Sequence, residues 1–272
     1  MLNNITLGQY YPVDSPVHRL DPRIKLILTI AFIVSVFLVK NLVGYALLLV
    51  FIFAVSRLSN VPFRMLLKGL KPLRLIIIIT FLLNLFISSG ENEVVWLEFW
   101  IIRITRDSFF RAFFYSLRLV FLVAGTSLLT LTTSPIALAD GIELLLSPLK
   151  KIHFPAHELA MMMTIALRFI PTLLEETDKI MKAQMARGAD FESGNLISRA
   201  KSMVPLLVPL FVSAFRRAGD LAMAMESRCY HGGEGRTRLR VLKLTRNDFL
   251  ACAAMALFIA VIVLESRFLP GP

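Results

Sequence analysis

A chain of 272 residues that is 56% hydrophobic and only 18% charged, with a mean hydropathy of +0.69, is not a soluble globule, because soluble domains average about 45–50% apolar and about 25% charged residues. Its 30 Lys and Arg against 19 Asp and Glu give a net charge of +11, but the cations cluster beside apolar runs, where they orient the chain in a bilayer, so no nucleic-acid partner is expected. Two cysteines, Cys229 and Cys252, exclude a disulfide framework.

The expected class is all-α: a polytopic helical membrane protein with about five transmembrane helices and one domain of long crossed amphipathic helices. Residues 1–25 read as a polar N-terminal arm, carrying Pro12, Pro16 and Pro22, with no cleavable signal peptide. From Leu26 to Val55 the chain is almost continuously apolar, broken by Lys40-Asn41 and Gly44. As one helix that run would be about 45 Å long, against a hydrocarbon core of about 30 Å. Two spans over 24–39 and 42–56, joined at Lys40-Asn41, fit better. Arg19, Arg23 and Lys25 precede the run, and Arg57, Arg64, Lys68, Lys71 and Arg74 follow it. The positive-inside rule puts both clusters in the cytoplasm, which requires two crossings and an external Lys40.

Pro62 to Lys71 is a short amphipathic piece at the inner surface, and the third span covers 72–88, with Pro72 tolerated in its first turn. The acids of 90–107 suit an outer loop and its tryptophans the membrane boundary, with a short strand or an interfacial helix as the alternatives. A fourth span runs over 109–132, with Arg111 and Arg118 either interfacial or buried against a partner. These spans make up a membrane region over 26–133.

Residues 134–246 form the second region. Between Ser134 and Lys243 lie six prolines and eight of the eleven methionines. Leu159, Met163, Ala166, Ile170, Leu174 and Met181 follow the spacing of one helical face, as do Met203, Leu207, Leu210, Ala214, Ala218, Leu221 and Met225. Charge enters both helices every few residues, so neither is expected to cross the bilayer. Arg236 to Arg246 mark the inner face before the last span and C-terminus, over 247–272.

Most chemical motifs are weak. His153 and His157 are separated by Pro155, and position 161 is Met, so the His-Glu-x-x-His zinc pattern is absent. Gly233 to Thr237 lacks the spacing of a phosphate loop. Asp140-Gly141-x-Glu143 reads as a lone acidic turn. No nucleophile–base constellation, cofactor site or metal site is expected. The strongest signal is a repeated helix ending: Ala183-Gln184-Met185-Ala186-Arg187-Gly188 is echoed by Ala222-Met223-Ala224-Met225-Glu226-Ser227-Arg228-Cys229-Tyr230. Both are Met-rich helical runs that close on an arginine.

The first ending, Ala183 to Gly188, preceded by Ala166-Leu167-Arg168-Phe169-Ile170-Pro171 and an acid at Glu175 or Glu176, resembles the first coupling helix of the transmembrane T component of energy-coupling factor (ECF) transporters. Met203-Val204-Pro205 through Arg216-Arg217-Ala218 to Tyr230 is similar to that family's second coupling helix. Leu20-Asp21-Pro22-Arg23-Ile24-Lys25 resembles the start of its first span. The likeness covers about residues 15–265. The first Ala-Arg-Gly signature stands intact as Ala186-Arg187-Gly188, whereas the second departs, reading Ser227-Arg228-Cys229.

The resemblance implies a non-catalytic coupling subunit of an ABC-type importer in the bacterial cytoplasmic (inner) membrane, with a cytoplasmic N-terminus. Its implied partners are two ABC-type ATPases, a membrane-embedded S component that binds a vitamin or metal ion, and the lipid bilayer. ATPase docking would fall to Ala186, Arg187, Gly188, Ser227, Arg228 and Cys229. Arg168, Pro171, Glu175, Gln184, Arg217 and Glu226 would support them. Two alternatives are a self-contained secondary transporter, which calls for intramembrane charge that the spans nearly lack, and a membrane-embedded enzyme, which calls for acids clustered at a span end.

Overall fold

The computed structural model describes residues 10–87, 95–99, 102–152, 154–191, 195–232 and 242–268. His153, Gly233 to Thr237 and the first part of the basic run that begins at Arg236, all read above, lie outside them. The chain divides into two compact units, one from Gly8–Gly141 and Leu242–Pro272, the other containing Ile142–Val241.

The first unit opens with helix α1 (Pro22–Leu38) and α2 (Leu42–Leu58), with Lys40-Asn41 between them as the charge pattern requires. Asp21 caps α1, its carboxylate accepting from the Arg23 amide at 2.9 Å, and Pro22 fills the first position, where no N–H is needed. α2 ends through Asn60, whose φ of 54° turns the chain so that the Val61 amide reaches the Ser56 carbonyl at 3.2 Å. The short amphipathic helix α3 (Phe63–Leu70) follows, then a 3-10 turn (Lys71–Leu73) and α4 (Arg74–Ile87).

The segment with two possible readings is a hairpin: strand β1 (Val95–Phe99) pairs antiparallel with β2 (Ile102–Thr105), Glu98 opposite Arg103. Thr105 then caps α5 (Arg106–Thr132). Helix α6 (Pro135–Leu146) corrects the reading of Asp140-Gly141-x-Glu143 as a turn. Gly141 sits inside a helix because a Cβ there would lie 2.9 Å from Pro22 Cβ and 3.2 Å from its carbonyl carbon. The glycine serves close packing rather than chain reversal. The unit closes with α9 (Arg246–Phe268).

Its core is built where α1, α2, α5 and α9 meet. Val36, Leu48 and Ile262 are fully buried, and the Phe51 and Phe258 rings stack at 4.2 Å. Gly125 lets α5 approach α1 so closely that a Cβ would strike the Phe32 ring at 2.4 Å. Arg118 of α5 turns inward: it donates to the Val39 carbonyl at 3.3 Å and its guanidinium lies over the Phe37 and Tyr115 rings. It therefore secures the end of α1, whereas Arg111 is exposed.

A second polar network ties the N-terminal arm to the start of α1 and the end of α5. Lys25, 6% exposed, donates from Nζ to the His18 and Thr132 carbonyls at 3.0 and 2.8 Å. Arg23 forks onto the Asp21 carboxylate at 2.8 and 3.1 Å. Burial alone would raise the Asp21 pKa, but its bonds to Arg23 outweigh burial and hold it below its ordinary value.

The second unit carries two long helices, α7 (Ala156–Ala186) and α8 (Leu196–Glu226), of 31 residues each. Helices at Ser108–Thr132, Ala156–Ala186 and Arg246–Phe268 are long and apolar enough to cross a membrane, and Leu42–Leu58 is a shorter apolar helix. The appearance of α7 in this set differs from the sequence expectation. The reason lies in its first half, where Leu159 to Leu174 carries a single charge at Arg168, while Glu175, Glu176, Asp178, Lys179 and Lys182 crowd the second.

Candidate functional site

The two repeated motifs form one kind of helix ending. At the end of α7, the Gly188 amide donates to the Met185 carbonyl at 2.9 Å and the Ala189 amide to the Gln184 carbonyl at 3.0 Å. At the end of α8, the Cys229 amide donates to Glu226 at 2.8 Å and the Tyr230 amide to Met225 at 3.1 Å. Both are Schellman endings, with a left-handed residue satisfying carbonyls that the last helical turn leaves open. The left-handed positions are Gly188 at φ 86° and Cys229 at φ 55°. The departure of the second motif from Ala-Arg-Gly therefore leaves the hydrogen-bond pattern of the ending intact, although a side chain now occupies a conformation that costs L-residues about 1–2 kcal/mol.

In each ending the arginine is the residue before the left-handed turn, and both Arg187 and Arg228 are exposed. A cation there is favoured by the partial negative charge of the helix terminus, by about 0.3–1 kcal/mol. Ala186, Gly188, Ser227 and Cys229 are exposed around them, and the Ser227 hydroxyl donates to the Ala224 carbonyl at 3.0 Å. The ends thus present planar guanidinium donors on a rigid backbone, suited to paired bonds with a carboxylate or carbonyls.

α7 and α8 pack against each other along an apolar groove of about 310 Å³, lined from α7 by Ile165, Phe169 and Leu173 and from α8 by Ala218, Leu221 and Met225. The α8 residues belong to the face that its periodicity predicts. On α7 the groove uses a neighbouring face, and Leu159 and Met163 of the predicted one are exposed. Beside the groove, Arg217 of α8 donates to Glu176 of α7 at 2.9 Å.

Of the supporting residues expected from sequence, Arg217 thus joins the two helices, and Gln184 contributes its carbonyl to the α7 ending. Arg168, Pro171, Glu175 and Glu226 are exposed. The acid that meets Arg217 is Glu176, not Glu175, since only Glu176 projects toward α8. His157 Nδ1 lies 2.9 Å from Glu143 Oε1, an ion pair or hydrogen bond according to its protonation. Among the described residues no group of three or more His, Cys, Asp or Glu could hold a metal ion.

Several helices long or apolar enough for a bilayer, together with two long helices closed by matched arginine-bearing ends, mark a polytopic helical membrane protein. The cobalt transport protein family matches residues 14–239. The energy-coupling factor transporter transmembrane protein EcfT of Thermosediminibacter oceani is 58% identical over 268 residues, covering 98% of this chain and 100% of the relative. The proteins of the same name from Clostridium kluyveri and Bacillus subtilis are 55% and 53% identical, over 96% and 91% of this chain and 97% and 93% of theirs. The chain belongs to the family of transmembrane components of energy-coupling factor transporters.

Proposed function

We propose that this chain is the coupling subunit of an ECF-type importer. It receives the motion of two cytoplasmic ABC-type ATPases through α7 and α8 and passes it to an S component that captures a vitamin or metal ion. The observation that carries this reading is the pair of Schellman endings, each holding an exposed arginine at the same backbone position on helices joined by the Glu176–Arg217 pair. Two fixed forks on two packed helices suit two identical or similar docking grooves. Catalysis has no place in this role, and the chain alone is expected to hydrolyse no ATP.

In this reading α1, α2, α4, α5 and α9 cross the membrane, and the region 134–246 is cytoplasmic. α7 is read as lying outside the bilayer because Arg168 falls near the middle of its apolar half, where a charge is costly, and because Glu175, Glu176, Asp178, Lys179 and Lys182 fill the rest of the helix. Single cysteines introduced near 40 and 91 should label from outside, and those at 64, 187 and 240 only from inside. External labelling at 64 would mean a single crossing before it and a different topology.

The deciding experiment is copurification of the ATPases with an Arg187→Glu, Arg228→Glu double variant. If the forks dock the ATPases, both ATPases are lost while the S component is retained. Losing one buried charged hydrogen-bond partner costs about 2–5 kcal/mol, or roughly 30-fold to several-thousand-fold in affinity. Arg→Lys at both positions keeps the charge, loses the fork and should weaken assembly part-way. Full recovery of the ATPases with both double variants would leave the arginines as helix caps and overturn the reading.

A further inference from the structure

The elbow between α2 and α4 has a charge pattern that the coupling role does not use. From Pro22 to Gly90 the chain has no acidic residue, and within that stretch Arg57, Arg64, Lys68, Lys71 and Arg74 crowd into eighteen positions. All five are exposed. They surround α3, which is held firmly in place. Leu66 is 2% exposed, and a Cβ on Gly69 would lie 2.9 Å from Ser127 Oγ of α5.

Around the axis of α3, at about 100° per residue, three sectors follow. Met65, Leu66 and Gly69 form the seated side. Arg64, Lys68 and the following Lys71 form the opposite side. Between them runs a flank of Phe63 and Leu67, 45% and 49% exposed. That apolar flank continues onto α4, where Leu75 and Ile76 are 66% and 51% exposed. An apolar strip beside a row of cations, adjoining apolar spans, has the shape of a helix lying in the interface of a bilayer.

We propose that the α3 elbow is a binding site for anionic phospholipids. The ammonium and guanidinium groups of Arg64, Lys68 and Lys71 hold the headgroup phosphates. The Phe63 and Leu67 flank and the outer face of α4 lie against the acyl chains. Charge complementarity selects an anionic over a zwitterionic lipid, because five cations with no acid among them leave a net positive field at the headgroup level. The exposed apolar flank selects a lipid over an acidic protein surface, for which Phe63 and Leu67 would have no role. Insertion in the membrane rests on the long apolar helices and is independent of this site.

The test uses the full-length chain purified with its native partner subunits. Binding of dioleoylphosphatidylglycerol and of dioleoylphosphatidylcholine is compared by native mass spectrometry and by the shift in thermal unfolding in detergent. The wild type should retain and be stabilised by phosphatidylglycerol well beyond phosphatidylcholine, and less so at high salt. An Arg64→Gln, Lys68→Gln, Lys71→Gln variant should lose affinity by about fivefold per cation, roughly a hundredfold in all. An Arg64→Lys, Lys68→Arg, Lys71→Arg variant should bind as the wild type does, which separates charge from folding. Equal binding of both lipids by the wild type, or undiminished phosphatidylglycerol binding by the Gln variant, would overturn the proposal. So would a Gln variant that keeps its lipid and sheds a partner subunit, since the elbow would then be a protein-docking surface.

Discussion

The amide of Asp21 donates to Oδ1 of Asp248 at 2.8 Å, joining the cap of the first helix to the first turn of the last across 227 residues of sequence. Asp248 is 2% exposed, and its other oxygen accepts from the Thr245 amide and hydroxyl at 2.7 and 2.8 Å, so the acid reaches back to the start of its own helix while serving a second helix as well. One carboxylate thus satisfies three donors in a place that water does not reach.

Asp248→Ala should therefore be among the most destabilising single changes in this unit. It strands three donors and removes the negative charge facing Arg23 and Lys25, a loss of about 3–5 kcal/mol if the site cannot relax. Asp248→Asn keeps the shape and one acceptor, and should lose clearly less. Thermal unfolding of the purified protein in one detergent checks the order, and equal midpoints for wild type and Asp248→Ala would remove the network from any role in stability.

His18 gives the arm a pH dependence. Its Nδ1 lies 2.7 Å from Ser15 Oγ and its Nε2 3.0 Å from the Tyr11 carbonyl. Burial lowers its pKa below the ordinary histidine value, with the Lys25 charge adding to the effect. A depressed folded-state value means that the unfolded chain binds the proton more readily, so this contribution is complete above about pH 6.5 and is lost as pH falls below it. The unfolding midpoint of wild type should fall faster than that of His18→Gln between pH 7.5 and 5.5. Parallel curves would show that His18 does not report on the fold.

How far the sequence carried depends on the range of each interaction. The break at Lys40-Asn41 was legible because hydrocarbon thickness and flanking charge both limit a thirty-residue apolar run, and the helices end within two residues of the expected bounds. Asp248 was not legible as a partner of Asp21, because nothing local marks a contact between the two ends of a chain. The hairpin at Val95–Thr105 stayed open because its apolar run fits either period. Gly141 misled for a similar reason: only the position of Pro22 explains a glycine inside α6. In the candidate site the repeated endings were read from spacing alone, whereas the choice of Glu176 over Glu175 is a matter of which residue faces α8.

That choice has a consequence for the long helices. If the pair between Glu176 and Arg217 sets how α7 and α8 cross, reversing either charge places like charges together across the groove. Glu176→Arg and Arg217→Glu should each reduce recovery of the ATPases, and combining them should restore much of it. Glu175→Arg, on the exposed side, should do much less. Single variants that assemble as well as the wild type would leave the crossing to the apolar groove.

Cys229 offers the sharpest comparison between the two endings. It holds φ at 55°, where a β-carbon meets its own backbone, while Gly188 takes the equivalent position at φ 86°, where a β-carbon would meet open space beyond its neighbours in the chain. The hydrogen bonds of the two endings match, so the difference between them is conformational strain at one residue. Cys229→Gly should relieve part of the roughly 1–2 kcal/mol that an L-residue pays in this region, offset by the greater freedom that glycine brings to the unfolded chain. The net gain should be below about 1 kcal/mol, read as slower amide exchange at Tyr230 with the α7 ending unaffected. Cys229→Val, β-branched, should do the opposite and fray the last turn of α8, loosening the backbone that carries Arg228. Gly188→Ala provides the control, since it introduces at α7 the strain that Cys229 already carries at α8. If Cys229→Gly and Cys229→Val leave exchange at Tyr230 equally slow, the second ending does not depend on its left-handed residue, and the equivalence of the two motifs fails.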